Sequence, residues 1–357
     1  MRDFKYLLAY ITPLSAWLGM YLGGAASLGA VYVAFVAIPI VEFFTTGTSE
    51  NHPENAEPAR AKNIFFDFLL YLNLPIFYAL LGYYFYVLFN RSLSIPELVG
   101  MTLNMSVVGG TLGINVAHEL GHRAKKSEQF MSKALLLPAL YMHFFIEHNR
   151  GHHKNVATVA DPASSRFGEN VYAFWWRSVK DSYADAWTLE RERLQKNNIA
   201  FWSVQNEMLR FQIIQLLYLS LVGGFLGWKI LLAAIAVAIG SFLLLECVNY
   251  IEHYGLERKM LPSGAYERVT MRHSWNSNHE IGRIFLYELT RHADHHYKST
   301  RPYQVLRHYD ESPQLPLGYP ASMLLSLAPP LWFAVMNKKV EALGASAQTY
   351  KLTEIIK

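Results

Sequence analysis

The sequence of 357 residues is short of two things: it contains a single cysteine, Cys247, and only 17% of its residues are charged. One cysteine excludes a disulfide framework, a cysteine-ligated zinc site and an iron–sulfur centre within the chain. The low charge stands against 52% hydrophobic residues, which leaves too few polar groups to solvate two globular domains. The net charge of +4 is small and does not indicate a nucleic-acid partner.

The apolar residues are gathered in uninterrupted blocks rather than spread at amphipathic spacing. Six blocks reach the roughly 20 residues that a helix needs to cross a bilayer. Very short connections join the first two and the last two, so these pairs are predicted to be antiparallel neighbours. The sequence therefore predicts an all-α polytopic membrane protein with six transmembrane helices, at approximately 6–22, 28–45, 64–89, 98–117, 211–227 and 230–248.

Basic residues in the loops predict the orientation of these helices. Loops that follow an even number of helices contain nearly all the basic residues, whereas the other loops contain only Arg91 and Lys229. Both termini and a histidine-rich helical cap are therefore predicted to face the cytoplasm. The predicted divisions are transmembrane helices 1–4 in 1–117, a cap region in 118–207 with a re-entrant or interfacial helix near 134–146, helices 5 and 6 in 208–248, a second cap region in 249–337, and a tail in 338–357.

Nine of the 14 histidines lie in four short windows, all on the predicted cytoplasmic side. Several pairs have i, i+4 spacing, which places two imidazoles on one helical face within reach of one ion. Neighbouring rings on a helix point about 100° apart, so His152 and His153 can serve different metals. Nine imidazoles exceed a single site and suggest two metals with four or five ligands each. The nine are His118, His122, His148, His152, His153, His253, His292, His295 and His296.

Three other interpretations use only part of this pattern. His118, Glu119 and His122 match the signature of zinc metalloproteases, which predicts an intramembrane protease. Glu119 and His122 also form one of the two Glu-x-x-His units of a carboxylate diiron bundle, but no second unit lies in the windows. A metal transporter needs histidines within the membrane helices, and the six predicted helices contain none.

Longer strings around the histidines resemble the bacterial alkane 1-monooxygenase family, within the integral-membrane diiron enzymes that include desaturases and xylene monooxygenases. The most specific string is Asn-Tyr-Ile-Glu-His-Tyr-Gly at 249–255, and the resemblance extends to about Asn337. Further matching strings are Glu-His-Asn-Arg-Gly-His-His at 147–153, Asp-Pro-Ala-Ser-Ser-Arg at 161–166, His-Ser-Trp-Asn-Ser-Asn-His at 273–279 and Arg-His-Ala-Asp-His-His at 291–296.

This resemblance implies that the nine histidines hold two irons in a bacterial inner-membrane enzyme. It implies hydroxylation of the terminal methyl of n-alkanes to 1-alkanols with O2 and two electrons. The electrons come from reduced rubredoxin, which rubredoxin reductase reduces again after each turnover. The residues alone do not separate this activity from hydroxylation of xylene-type substrates or desaturation of fatty-acyl chains.

Other residues are assigned roles around this centre. Ala34 and Phe35, in the second predicted helix, are expected to line a substrate tunnel. Four basic residues, Arg123, Lys125, Lys126 and Lys133, are candidates for docking the electron carrier. Seven polar residues are expected to support the imidazoles or to close over the site: Glu119, Glu147, Asp161, Glu252, His273, His279 and Asp294.

Overall fold

The computed structural model describes residues 2–344, and within them the only β-structure is two isolated bridge pairs. Helices dominate because a backbone in lipid has no water to bond and must satisfy its own polar groups. The helices are α1 (Ile11–Leu22), α2 (Gly24–Phe44), α3 (Glu57–Ala61), α4 (Ile64–Asn90), α5 (Ile95–Gly121), α6 (Lys126–Leu136), α7 (144–155), α8 (Val171–Lys196), α9 (Glu207–Leu226), α10 (Trp228–His253), α11 (Glu280–Phe285), α12 (His292–Tyr297), α13 (Tyr319–Ser326) and α14 (Pro329–Ala342).

Five of these helices are long and apolar enough to cross a membrane: α2, α4, α5, α9 and α10. They correspond to the second to sixth predicted helices. A sixth crossing is possible if α13 and α14, which meet at a bend of 120°, form one broken span. That pair contains the apolar stretch near 321–335. The predicted all-helical membrane architecture is therefore confirmed, with five or six candidate crossings, but the first predicted membrane helix, at 6–22, is not among them.

The first predicted helix has a mixed structure. Its N-terminal part belongs to a 3₁₀ segment, Arg2–Tyr10, and α1 begins only at Ile11. Pro13 explains why the α-helix starts so late. The proline ring clashes with a carbonyl four residues earlier in an α-helix, so Pro13 is accommodated only in the first turn, where its missing N–H costs no hydrogen bond. The predicted tail is also divided, since residues 338–342 continue α14 and residues 345–357 lie outside the described part of the chain.

The stretch at 134–146 is not the single helix that was predicted. Helix α6 ends at Leu136, turns follow, and α7 begins at Phe144. Pro138 cannot donate a backbone hydrogen bond, and Leu140 adopts a left-handed conformation with φ of 52°. The chain therefore reverses here, and α7 carries the second histidine window back towards the first.

Helices α5 and α10 pack closely because small residues face each other between them. A Cβ atom added at Gly240 would clash with the Ser106 side chain, and one added at Gly109 would clash with Ser241. Both helices carry histidines at their C-terminal ends, so this close contact positions the first and third windows relative to each other.

We expect Gly240→Val to destabilise the protein by about 1–3 kcal/mol, because the added side chain must push α5 away. The measurement is the thermal unfolding midpoint of the detergent-solubilised protein. Gly224→Val is the matched control, since a Cβ added at Gly224 of helix α9 meets nothing within 4 Å. Equal midpoints for the two variants would contradict the close packing of α5 on α10.

Candidate metal centre

The nine histidines of the four windows converge on two neighbouring groups. In each group the ligand atoms all lie within 4.8 Å of one another. The adjacent pair is divided as the helical geometry predicted, with His152 in one group and His153 in the other. The five-histidine group consists of His118, His122, His148, His153 and His295, and the four-histidine group consists of His152, His253, His292 and His296.

Two membrane helices and two short cap helices carry eight of these side chains, and the ninth, His122, directly follows the end of α5. His118 lies near the end of α5 and His253 is the last residue of α10. Helix α12 carries the three histidines of the fourth window. Helices α5 and α7 contain π-helical turns, at Gly109–Asn115 and His148–His152. Such turns are frequent at functional sites because the wider turn changes the direction of the side chains that follow.

The Nε2 atoms of the imidazoles point towards one another. In the five-histidine group, the Nε2 atom of His148 lies 3.1 Å from that of His122 and 3.0 Å from that of His153. In the four-histidine group, the Nε2 atom of His296 lies 2.9 Å from that of His292 and 3.2 Å from that of His152. Two nitrogens at right angles around one ion, each at about 2.1 Å, are separated by about 3.0 Å. The spacing therefore fits nitrogens that share an ion.

Unpaired nitrogens in both groups support the same conclusion. The Nε2 atoms of His118 and His253 are buried and have no hydrogen-bond partner among the described residues. A buried polar atom without a partner is unfavourable, and a metal ion is the partner that the surrounding imidazoles favour. The residues present therefore fit a pair of metal ions.

The protonation of the histidines also suits metal binding. Burial lowers the pKa of His122 to about 3, because the charged imidazolium loses its hydration. Burial, followed by the effect of neighbouring histidines, lowers other pKa values well below their usual range. Neutral imidazole is the form that binds metals, so no proton must be displaced near pH 7. These other residues are His148, His153, His292, His295 and His296.

Asp161 lies where a carboxylate that supports a metal-binding imidazole is expected. Its Oδ2 atom is 2.9 Å from Nδ1 of His152 and accepts a hydrogen bond of 2.6 Å from Ser164. A carboxylate on Nδ1 keeps the proton there and leaves Nε2 free to bind an ion. Ser274, which the sequence analysis did not single out, is similarly placed, with its hydroxyl 3.5 Å from Nδ1 of His253.

Other predicted supporting carboxylates are held by arginines. Arg123 donates to Glu119 through Nε at 2.9 Å and Nη2 at 2.7 Å, and Arg301 donates to both oxygens of Asp294. Guanidinium binds carboxylate more strongly than a neutral imidazole does, so the prediction of imidazole contacts was wrong for these two. The pairing also leaves Glu119 poorly suited to act as the base of a zinc protease.

The side chains of three further residues of this set form no hydrogen bond with the nine imidazoles among the described residues. Glu147 has a buried Oε1 atom with no hydrogen-bond partner in the described residues, and it faces Gly151 instead of an imidazole nitrogen. The ring of His273 accepts a hydrogen bond from the backbone N–H of Thr270 through Nδ1, and its Nε2 atom lies 3.4 Å from Glu267. His279 directly precedes α11, and its buried Nδ1 atom has no hydrogen-bond partner among the described residues.

The basic residues predicted to dock an electron carrier fall into two pairs. Arg123 is occupied by carboxylates within the fold, and Lys133 donates to Glu207 at 2.6 Å. The pairs with Asp67 and Glu207 join distant parts of the chain and could not be predicted from sequence, and this pairing leaves little free charge on Arg123 and Lys133. Lys125 and Lys126 are exposed.

A largely apolar cavity extends from the metal centre between the helices. Three histidines line it: His118 and His148 of the five-histidine group and His292 of the four-histidine group. It encloses about 950 Å³ of free space, including the space at its open mouth. Both residues of the predicted tunnel, Ala34 and Phe35, line its wall.

Phe35 also lines a second apolar cavity. Val107, Leu244 and Met323 are likewise shared by the two cavities, so these four side chains form the boundary between them. A smaller residue at position 35 would connect the two spaces.

Comparison with known proteins places these features in context. A family model described as fatty acid desaturase matches residues 92–323. Alkane 1-monooxygenase from Pseudomonas putida is 36% identical over 345 residues, which is 95% of this chain and 85% of that protein. Alkane 1-monooxygenase 1 from Pseudomonas aeruginosa is 44% identical over 255 residues, 71% of this chain and 66% of that protein. The hydroxylase component of a xylene/toluene monooxygenase from Pseudomonas putida is 27% identical over 342 residues, 95% of this chain and 89% of that protein.

Proposed function

The chain belongs to the alkane 1-monooxygenase family, and we propose from this membership that it hydroxylates the terminal methyl of medium or long n-alkanes to give 1-alkanols. The observation that carries the proposal is the position of two histidine groups at the wall of an apolar cavity. Relatives that cover 95% of this chain carry the alkane 1-monooxygenase name, whereas the xylene-type relative is only 27% identical.

We propose that the two groups hold two irons, one with five histidines and one with four. Bound iron supplies the chemistry that uses O2 and two electrons to oxidise an unstrained C–H bond. The protein supplies neutral imidazoles in a fixed arrangement, and Asp161 orients His152. No protein nucleophile is required.

The cavity accounts for binding of a substrate that has no polar group. Burial of each CH2 contributes about 0.8 kcal/mol, so an apolar wall is sufficient to bind a medium-length chain. Such a substrate is already concentrated in the bilayer that surrounds the helices. The apolar wall also disfavours water beside the metal centre, which suits oxidation of an unactivated C–H bond.

We expect Phe35→Ala to shift the preferred substrate towards longer alkanes, because it connects the two cavities. Each additional buried CH2 should raise kcat/KM by up to about fourfold, the equivalent of 0.8 kcal/mol. Products from a mixture of C8 to C16 n-alkanes are measured by gas chromatography. Phe43→Ala is the matched control, because Phe43 lies on the same helix with 81% of its surface exposed. An unchanged chain-length profile in Phe35→Ala would contradict the boundary role of Phe35.

We further propose that the enzyme lies in the bacterial inner membrane, with both termini and the metal centre towards the cytoplasm. The supporting observation is the excess of basic residues in the loops at that end of the helices. Electrons are proposed to come from reduced rubredoxin, which rubredoxin reductase in turn reduces. Of the four basic residues predicted to dock it, Lys125 and Lys126 keep exposed charges.

The purified protein tests this function when it is combined with rubredoxin, its reductase, NADH and n-octane. The expected product is 1-octanol, and its formation should depend on all components. The proposed function would be contradicted if n-octane were recovered unchanged while p-xylene or a fatty-acyl substrate was converted. The protein would then be assigned to the related hydroxylases or desaturases.

A further inference from the structure

Two asparagines, Asn115 and Asn249, place amide groups in the wall of the largely apolar cavity. Asn115 lies in α5, three residues before His118, and Asn249 lies in α10, four residues before His253. Spacings of three and four residues put each amide about one helical turn from a histidine, on the same helical face. Both asparagines are buried, with 9% and 6% of their surfaces exposed.

The packing of α5 on α10 brings the two amides to a similar level. Ser106 of α5 lies against Gly240 of α10, and a second contact, four residues further along each helix, joins Gly110 and Leu244. Because both contacts advance in the same direction, the two helices run parallel. Continued for five more residues, the same register brings the two asparagines close to one level of the cavity wall.

The hydrogen bonds of the two amides leave part of each group free. Asn115 donates from Nδ2 to the carbonyl oxygen of Leu286 at 3.2 Å, and Asn249 donates from Nδ2 to Glu246 at the long distance of 3.4 Å. Within residues 2–344, no hydrogen bond reaches the Oδ1 atom of either asparagine. A primary amide has two N–H donors and one acceptor oxygen, so each side chain keeps a donor and an acceptor for a bound molecule.

Other polar groups of the cavity wall are engaged within the fold. The hydroxyl of Thr111 donates to the carbonyl oxygen of Val107 at 2.8 Å. The hydroxyl of Tyr319 donates to Glu252 at 2.8 Å, and the second carboxylate oxygen of Glu252 lies 3.2 Å from Nε2 of His292. The two amides differ from these groups because they have hydrogen-bonding capacity to spare.

An alkane cannot use these amides, because it has no hydrogen-bonding group. A buried polar group without a hydrogen bond is unfavourable, so the amides do not help the substrate to bind. The hydroxyl of an alcohol can donate to the oxygen of one amide and accept from the N–H of the other. The two amides therefore gain binding energy only after an oxygen atom has been inserted into the chain.

We propose that Asn115 and Asn249 form a binding site for the hydroxyl of the 1-alkanol product, one helical turn from the histidines. This inference rests on the proposed function, which supplies the alcohol. The alkyl chain stays in the apolar part of the cavity while the hydroxyl moves from the metal centre to the amides. The two asparagines thus favour a primary alcohol over an alkane of the same length.

Asn249→Leu and Asn115→Leu test the inference, because leucine has a similar volume and removes the hydrogen-bonding groups. The iron-loaded protein is kept without an electron donor, so that no turnover occurs. Binding of tritiated 1-octanol and of tritiated n-octane is then measured by scintillation proximity. Each substitution should weaken binding of 1-octanol about fivefold, the equivalent of one hydrogen bond of about 1 kcal/mol, and should not weaken binding of n-octane.

Thr111→Val is the matched control for both leucine variants. It removes a hydroxyl from the same cavity wall, but that hydroxyl is already bonded to the carbonyl oxygen of Val107. The ratio of 1-octanol affinity to n-octane affinity should therefore equal that of the unchanged protein. Elemental analysis should find the same iron content in all variants, which separates an effect on the alcohol from damage to the metal centre.

Three results would overturn the inference. In the first, 1-octanol binds equally well to the unchanged protein and to both leucine variants. In the second, 1-octanol and n-octane weaken by the same factor, because the substitution has then disturbed the cavity as a whole. In the third, Thr111→Val lowers the affinity ratio as much as the leucine variants do. If one leucine variant does not fold, the other decides.

The same measurements distinguish this inference from the proposed function. If the two amides bind 1-octanol but the protein does not hydroxylate n-octane, the proposed function fails and the alcohol site is retained. If the protein hydroxylates n-octane and both leucine variants bind 1-octanol normally, only the alcohol site fails.

Discussion

Replacing His253 by alanine is expected to remove one of the two ions per chain and to reduce n-octane hydroxylation by more than 100-fold. His253 is the only member of the four-histidine group that α10 supplies, and its Nε2 atom has no other partner among the described residues. Loss of a residue that only supports a metal ligand lowers affinity or activity about 10–100-fold, so loss of a ligand should exceed this range. Elemental analysis and gas chromatography of 1-octanol are the measurements.

His143→Gln is the matched control for this variant. His143 is also a buried histidine, and burial lowers its pKa to about 3, but its ring packs on Tyr141 and Tyr183 and belongs to neither group. We expect the control to retain two ions and most of the activity. Two ions retained after His253→Ala, or the same loss in both variants, would contradict the assignment of His253.

Replacing Asp161 by alanine is expected to weaken one ion and to lower activity about 10–100-fold, because His152 loses the carboxylate that fixes its proton on Nδ1. The ion held by the four-histidine group should be affected and the other retained. Anaerobic Fe²⁺ titration measures the two affinities separately.

Ser164→Ala is the control for the Asp161 variant. It removes one hydrogen bond to the same carboxylate and leaves the contact with His152, so its effect should be much smaller. Equal losses for Asp161→Ala and Ser164→Ala would show that the loop conformation matters and that the contact with His152 does not.

The membrane helices could be predicted because the bilayer imposes a simple rule on composition and length. The exceptions arise at prolines. Pro13 delays the start of α1, and Pro138 divides the stretch that was predicted to form one interfacial helix. The sequence contains these prolines, but the local bends that they cause depend on neighbouring helices as well.

The convergence of the histidines could be predicted from their spacing and from their positions after the membrane helices. Even the division of His152 and His153 between two groups follows from the angle between adjacent residues on a helix. The π-helical turn at His148–His152 could not be predicted, because it has no sequence signature.

The roles of the acidic and basic residues were harder to predict. Glu119 and Asp294 stand beside metal-binding histidines in sequence, but arginines four and seven residues further along the chain bind them instead. Arg123 also pairs with Asp67, and Lys133 pairs with Glu207, and both of these partners lie far away along the chain. The direction of Glu252 depends on α12 and Tyr319, which lie far along the chain, and only the folded structure shows it.

The measurement that tests the central claim most directly is the metal content of the purified protein, determined by elemental analysis. The account predicts about two irons per chain, with a loss when any of the four histidine windows is altered. One zinc per chain that depends on His118 and His122 but not on His253 or His295 would contradict it, and would favour a zinc protease instead.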